Sequence, residues 1–332
     1  MSATSANDVW AVGYHRDNHT GNSWPLTEHF NGTAWSLVSS PQPKFSTLLS
    51  VAEVSPADVW AVGGVIKQTI GISRTLTMHW DGSTWSVIPS PNGALDGGFL
   101  TSVVFSATND VWAFGYSINR AQRFLTLAMH WDGRSWSVVP TINPPGNDLL
   151  WGGGAGSPDD AWAVGTDEGD GSGLIEMWNG TSWGRIPTPN VASVFRSYVP
   201  IMPNDAWALG YSSNGMKAIP LAEFWNGSTF TVFPTPTVSG QDTLVNGATA
   251  VRADNVWAVG DSQGPPDRTF TMNWNGSSWM AVASPNRGIF GDDLYGVTRI
   301  PGTAGVWAVG TYLTDFAVGP HRNKTLAMRL HC

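Results

Sequence analysis

Cysteine is almost absent. Cys332 is the only one in 332 residues, which excludes an intrachain disulfide and a cysteine zinc site and leaves the redox compartment open. Charge is scarce as well, at 13% of residues, with a formal net charge of -8. Only four residues are lysine and the 13 arginines are scattered, so no basic stripe exists to follow phosphates, and nucleic acid is not an expected partner. No run of 18 apolar residues occurs, so no membrane-spanning helix is expected, and Met1-Ser2-Ala3-Thr4 is not the charged start of a signal segment. Nucleophile-elbow, phosphate-loop and dinucleotide fingerprints are missing too, so no cofactor is expected.

Tryptophan, in contrast, is abundant, with 19 copies. Most belong to a repeated unit, clearest at Asp58-Val59-Trp60-Ala61-Val62-Gly63 and, after a variable gap, Thr77-Met78-His79-Trp80-Asp81-Gly82-Ser83-Thr84-Trp85. The first half recurs seven times, at Trp10, Trp60, Trp112, Trp162, Trp207, Trp257 and Trp307, in steps of 50, 52, 50, 45, 50 and 50 residues. A period near 50 without helical patterning predicts one all-β domain over 1–332, a seven-bladed β-propeller of four-stranded antiparallel blades.

In the second repeat the strands, A to D, are expected at Leu49 to Val54, Val59 to Gly63, Leu76 to Trp80 and Trp85 to Ile88. Asp81-Gly82, or Asn-Gly at Asn31, Asn179, Asn226 and Asn275, supplies the positive φ of a tight C–D hairpin. These four asparagines also match the glycosylation acceptor pattern, but the turn accounts for them. Strand B alternates: Val59 and Ala61 point one way, Trp60 and Val62 the other, and neither face is polar. Such a strand must be covered on both faces. Each B-strand Trp is therefore expected to fill space beside an Ala of the adjacent blade. Five Trp end C strands and five open D strands; only Trp24 and Trp151 fall outside the register.

The ends break the pattern. Residues 1–7 align with the last half of an A strand, and Leu326 to Cys332 is a C strand with no D strand after it. The inner strand of blade one is thus expected to be short and the outer strand of blade seven absent, leaving an edge at Leu326 to Leu330 through which a second copy could add.

The glycine-ended apolar strand, aromatic-ended strand and Trp-opened strand, in that order, resemble the kelch-type propellers. The likeness is greatest to bacterial proteins built from Asp-Val-Trp-Ala-Val-Gly and Trp-Asp-Gly-x-x-Trp repeats. It implies a seven-bladed fold over the whole chain and little chemistry, because kelch-type propellers include binding scaffolds as well as a copper oxidase. The oxidase's cross-linked cysteine has no counterpart, since Cys332 lies outside any matching motif.

Chemistry is expected on the B–C and D–A loops, which vary in length and share one face. Trp24, Trp151, Phe99, Phe195, Tyr198 and Tyr295 map there and form the candidate ligand-binding set, suited to a glycan or a protein loop; the alternative is that they plug the channel mouth. Asp96, Asp148, Asp242, Asp292 and Asp293 are expected shortly before A strands in four different repeats. They are the candidates for glycoside cleavage, weighed against local turn bonding. Asp167 and Asp170 lie in the one metal-like loop, which lacks the alternating ligands of a calcium site. His29, His79 and His130 repeat at one C-strand position and are too far apart to share an ion; His15, His19 and His321 are a weaker loop group. The resulting expectation is a non-catalytic binding or scaffold protein, extracellular or cell-surface, with a glycan-cleaving enzyme as the alternative.

Overall fold

A computed structural model of the chain describes residues 1–17, 20–67, 72–93, 97–189, 192–202, 204–213, 215–314 and 323–331. Among them no helix occurs, so none is long and apolar enough to cross a membrane. The first sheet is β1 (Ser2–Ser5), β2 (Asp8–Arg16), β3 (Ser23–Phe30) and β4 (Trp35–Leu37). The second is β5 (Ser46–Ser55), β6 (Asp58–Lys67), β7 (Ile72–Trp80) and β8 (Trp85–Ile88), and the third β9 (Gly98–Ala107), β10 (Asp110–Ile118), β11 (Phe124–Trp131) and β12 (Trp136–Val139). The fourth is β13 (Asp148–Ser157), β14 (Asp160–Asp167), β15 (Ser172–Trp178) and β16 (Trp183–Arg185). β17 (Ser193–Met202), β18 (Asp205–Ser213), β19 (Ala218–Trp225) and β20 (Phe230–Phe233) make the fifth; β21 (Asp242–Arg252), β22 (Asn255–Gln263), β23 (Arg268–Trp274) and β24 (Trp279–Ala281) the sixth. The seventh has three strands, β25 (Gly291–Arg299), β26 (Val306–Leu313) and β27 (Asn323–Leu330). Every pairing is antiparallel between chain neighbours, so these are seven propeller blades with the last one strand short.

The chain divides into two compact units, Met1–Ile186 with sheets one to four and Pro187–Cys332 with sheets five to seven. In the first unit Val59 and Ala61 of β6 pack with Trp10 of the preceding sheet, while Trp60 and Val62 pack with Leu100, Val111 and Ala113 of the next. The expected alternation on strand B is therefore observed. In the second unit Trp207 shares a core with Val256 and Ala258, and Trp257 shares one with Val306 and Ala308.

The other tryptophans follow from the same geometry. Trp60 lies 4.7 Å from Trp131, which ends a C strand of the next sheet, and 5.1 Å from Trp136, which opens its D strand edge-on at 89°. Trp10, Trp112 and Trp207 repeat the arrangement with the pairs Trp80 and Trp85, Trp178 and Trp183, Trp274 and Trp279. Edge-to-face rings add to the transfer free energy of burial, about 4 to 6 kcal/mol per fully buried Trp at ~25 cal/mol per Å².

The B strands run past the glycine that ends the motif. β6 continues to Lys67 and β5 starts at Ser46, so each sheet is longer toward the variable loops than the apolar pattern alone indicates.

The histidines stand over the Trp layer. His29, His79 and His130 hydrogen-bond Asp8, Asp58 and Asp110 at 2.6, 2.8 and 2.6 Å, and their rings cover Trp10, Trp60 and Trp112 at 4.5 to 4.6 Å. In the sixth sheet Asn273 Nδ2 donates to Asn255 Oδ1 at 2.8 Å instead. In the seventh, where Gly305 replaces the aspartate, Arg329 lies 4.7 Å over the Trp307 ring.

Candidate functional site at the loop-bearing strand ends

Register places the start of each A strand beside the end of its B strand, as in Asp148 opposite Asp167. The D–A and B–C connections therefore leave each sheet at the same end. Close to that end the A strand carries a one-residue bulge, repeated in six sheets. Leu48 pairs with Gly63 and Ser50 with Val62, which leaves Leu49 over. The same slip sets apart Thr101, Trp151, Arg196, Asn246 and Tyr295. A bulge re-aims its extra side chain and is often used beside functional sites.

The bulge also explains the glycine of the B-strand motif. A Cβ added at Gly63 would overlap the Thr47 carbonyl oxygen, and Gly115, Gly165, Gly210, Gly260 and Gly310 meet the equivalent oxygen of their own sheets. The glycine admits the displaced backbone.

Around the bulges the sheets are near-copies, yet the six bulge residues are all different. Two of them support the next. Thr101 Oγ1 donates to Leu150 O at 2.7 Å, the carbonyl just before Trp151; Asn246 Nδ2 donates to Leu294 O at 3.0 Å, just before Tyr295. Both aromatic bulge residues are thus held by a polar bulge residue of the preceding sheet.

In the first unit Trp151 belongs to an aromatic group. Phe99 and Tyr116 stack at 5.9 Å and 11°, Phe124 meets Tyr116 edge-on at 5.2 Å, and Trp151 lies 6.4 Å from Tyr116. Burial pushes the Tyr116 phenol up. Trp24 stands apart from this group and stacks on His15 at 5.4 Å and 20°.

The second unit gathers polar groups. Tyr295 is 54% exposed, and its hydroxyl donates to Asp293 Oδ2 at 3.2 Å. Asn246 also donates to Asp261 Oδ1 at 2.8 Å, and Arg196 lies over the Tyr211 ring at 5.8 Å. Burial first, then the charge of Asp261, pushes Asp293 up to about 6. Burial and then Asp293 push the Tyr295 phenol up to about 12. Phe195 is fully buried and Tyr198 is 5% exposed, so both rings belong to the interior packing and have little surface for a ligand.

Three of the candidate aspartates hold the loops. Asp148 pairs with Arg123 at 3.2 Å, Asp292 accepts from the Arg287 and Gly288 amides at 2.9 and 2.8 Å and pairs with Arg268 at 3.4 Å, and Asp242 accepts from the Ala218 amide at 2.8 Å. Each ties the start of an A strand or the loop before it to the preceding sheet's C strand. Asp293 alone of the described candidates faces the exposed tyrosine. Asp96, His19 and His321 lie outside the described residues.

Asp167 accepts from the Gly169 amide at 2.9 Å and pairs with Arg185 at 3.1 Å; Asp170 accepts from the Ser172 amide at 2.8 Å. Among the described residues no group of three or more His, Cys, Asp or Glu is arranged to hold a metal ion.

Thr101, Arg196, Asn246 and Asp261 were not picked out by sequence reasoning. A signal was present: each bulge residue sits between a large apolar residue and Ser or Gly, as in Leu48-Leu49-Ser50, Phe195-Arg196-Ser197 and Leu294-Tyr295-Gly296.

The chain matches no protein-family model and no curated protein. Solved structures similar to it include YCF48 from Cyanidioschyzon merolae, 11% identical over 98% of this chain and 96% of that one with a TM-score of 0.56, and YCF48 bound to D1 peptide, 17% identical over 82% and 77% at 0.51. The six-bladed fucose-recognising lectin of Aleuria aurantia is 14% identical over 83% of this chain and 95% of that one at 0.53. A polysaccharide lyase, the ulvan lyase of family PL25, is 10% identical over 97% and 92% at 0.57. Each is distant enough in sequence that the likeness carries the fold alone.

Proposed function

We propose that the chain is a non-catalytic binding propeller, secreted or at the cell surface, whose A-strand bulge residues recognise a glycan. The observation that supports this is the pairing of a uniform scaffold with six unlike bulge side chains. Repeats that need only to pack have no use for Leu, Thr, Trp, Arg, Asn and Tyr at one equivalent place. Trp151 offers a large ring, and Tyr295 a half-exposed one that bonds Asp293, feels the charge of Asp261 and follows the carbonyl that Asn246 holds. Rings with adjacent hydrogen-bonding groups suit the apolar face and hydroxyl edge of a sugar.

Binding is preferred to glycan cleavage because Asp148, Asp242 and Asp292 are already engaged in loop contacts. A peptide ligand is the second reading, since one structure with this fold is described as peptide-bound. A glycan array on wild type, Trp151→Ala and Tyr295→Ala tests the proposal. The expected result is a sugar class bound by wild type and weakened about tenfold or more in at least one variant. Equal binding by all three would remove the bulges from recognition, and product release from a bound oligosaccharide would replace binding with catalysis. Self-association through the outer side of β27 belongs to the same proposal, because the seventh sheet has three strands. A sedimentation series in which mass rises with concentration would support it; a constant monomer mass would not.

A further inference from the structure

The alanine of the B-strand motif faces one fixed slot on the C strand. Ala61, Ala113, Ala258 and Ala308 pair with Met78, Met129, Met272 and Met328. Ala11, Ala163 and Ala208 pair with Glu28, Glu176 and Glu223. Glutamate thus stands in a methionine slot three times, and Glu176 and Glu223 are as completely buried there as Met78 and Met129. The two side chains have similar length, but only an uncharged carboxyl resembles the thioether in what it asks of an apolar surrounding.

Glu176 shows the condition most clearly. Its Oε2 accepts one bond, from the Ile142 amide at 3.4 Å, and its Oε1 is buried without a hydrogen-bond partner. The charged groups facing it are Asp148 of β13, which is repulsive, and Arg185 of β16, which is attractive and one-third exposed. Burial outweighs both and pushes the carboxyl up to about 8.

A second buried acid lies in the same unit. Glu53 of β5 is 2% exposed and takes the Thr4 hydroxyl at 2.9 Å and the Thr4 amide at 3.1 Å. Asp8, itself bonded to His29, is the charged group facing it and is repulsive. Burial again dominates, and the carboxyl is pushed up to about 8.

We propose that Glu53 and Glu176 are proton-dependent packing residues, so that the folded chain holds protons the unfolded chain releases and is most stable in acidic solution. The direction follows from linkage. A glutamate in the unfolded chain gives up its proton near pH ~4.3, whereas these two keep theirs in the fold until about pH 8. Their stabilising contribution is complete below the unfolded value and is lost as pH rises through that window. Above it the fold must carry two buried charges.

Calorimetry of the full chain from pH 5 to pH 9 tests this. The expected result is a Tm that falls by more than about 5 °C across the range. Glu176→Met, which copies the sister sheets, and Glu53→Gln should each flatten the slope and raise Tm at pH 9. Glu176 faces none of the three Asp–His pairs, so the change of slope in Glu176→Met reports that glutamate alone, whereas Glu53→Gln also removes the neighbour of Asp8 and reports Glu53 together with the Asp8–His29 pair. If Glu176→Met does not fold, Glu176→Gln gives the same comparison while keeping an acceptor for Ile142. Hydrogen exchange at the Ile142 amide, normalised to amides far from the site, should speed up with pH in wild type and not in Glu176→Gln. A wild-type Tm that is level or rising over this range, or variants that keep the wild-type slope, would overturn the proposal.

Discussion

The first and second sheets carry the same B-strand motif and differ in what lies across it. β5 pairs with β6 from Val65 back to Asp58 and bulges at Leu49 opposite Gly63. β1 pairs with β2 only at Trp10, Val9 and Asp8, so no bulge reaches Gly13. Outward from the motif the two sheets are alike: Trp10 and Trp60 are both buried, each is covered by a histidine, and each meets a Trp pair of the next sheet. Two demands are therefore superimposed in one six-residue motif. The tryptophan answers to the neighbouring sheet and the glycine to the strand within its own sheet.

Removing a tryptophan is the largest expected effect and should be equal in the two sheets. Trp60→Ala and Trp10→Ala each delete a ring packed against two others, at a cost of about 3 to 5 kcal/mol. Thermal unfolding checks this, and a variant melting within a degree of wild type would show that the Trp layer is not the core. Gly63→Ala comes next, at about 3 kcal/mol, because the atom it meets is a backbone oxygen that moves only with its strand.

The histidine pairs rank lower. Asp58→Ala leaves His79 without its 2.8 Å partner, one-quarter exposed to water, so about 1 kcal/mol is expected. Asp58→Asn with His79→Asn reproduces the pair already present at Asn255 and Asn273, and should recover most of the loss. A double variant as unstable as the single would show that the pairing contributes nothing beyond its two parts.

Legibility in the sequence divides along the same lines. Whatever repeats with a short spacing could be read: the 3-residue facing of Val59, Trp60 and Ala61, the Asn-Gly and Asp-Gly hairpins, and the tryptophans that open D strands. Contacts set by strand register over longer separations could not. Asp58 and His79 are 21 residues apart, and only the B–C pairing brings them together. The bulges were hidden for a related reason, because one extra residue shifts the alternation of the A strand and makes Thr101 or Arg196 look like an ordinary strand position. Sequence reasoning placed Trp151 and Tyr295 on the variable face but could not tell them from Phe195, which lies one residue away from Arg196 and is buried. The aspartates near the starts of A strands read as candidates for glycoside cleavage; their arginine and amide partners come from the preceding sheet or the loop before the strand.

The smallest effect separates the two sheets most sharply. An added Cβ at Gly13 has no atom within 4 Å, and Gly13 is not among the residues with positive φ. Alanine fits there without strain and lowers the entropy of the unfolded chain, so Gly13→Ala should stabilise by roughly 0.5 kcal/mol. For a chain of this length that is a rise in Tm of roughly 0.5 to 1 °C. The same substitution at Gly63 should lower Tm by several times as much, so opposite signs at equivalent positions of one motif are the expected outcome. Side-by-side calorimetry of the two variants decides it. Should Gly13→Ala be as damaging as Gly63→Ala, backbone must approach Gly13 in solution as it approaches Gly63, and the glycine would then answer to something other than the bulge of its own sheet.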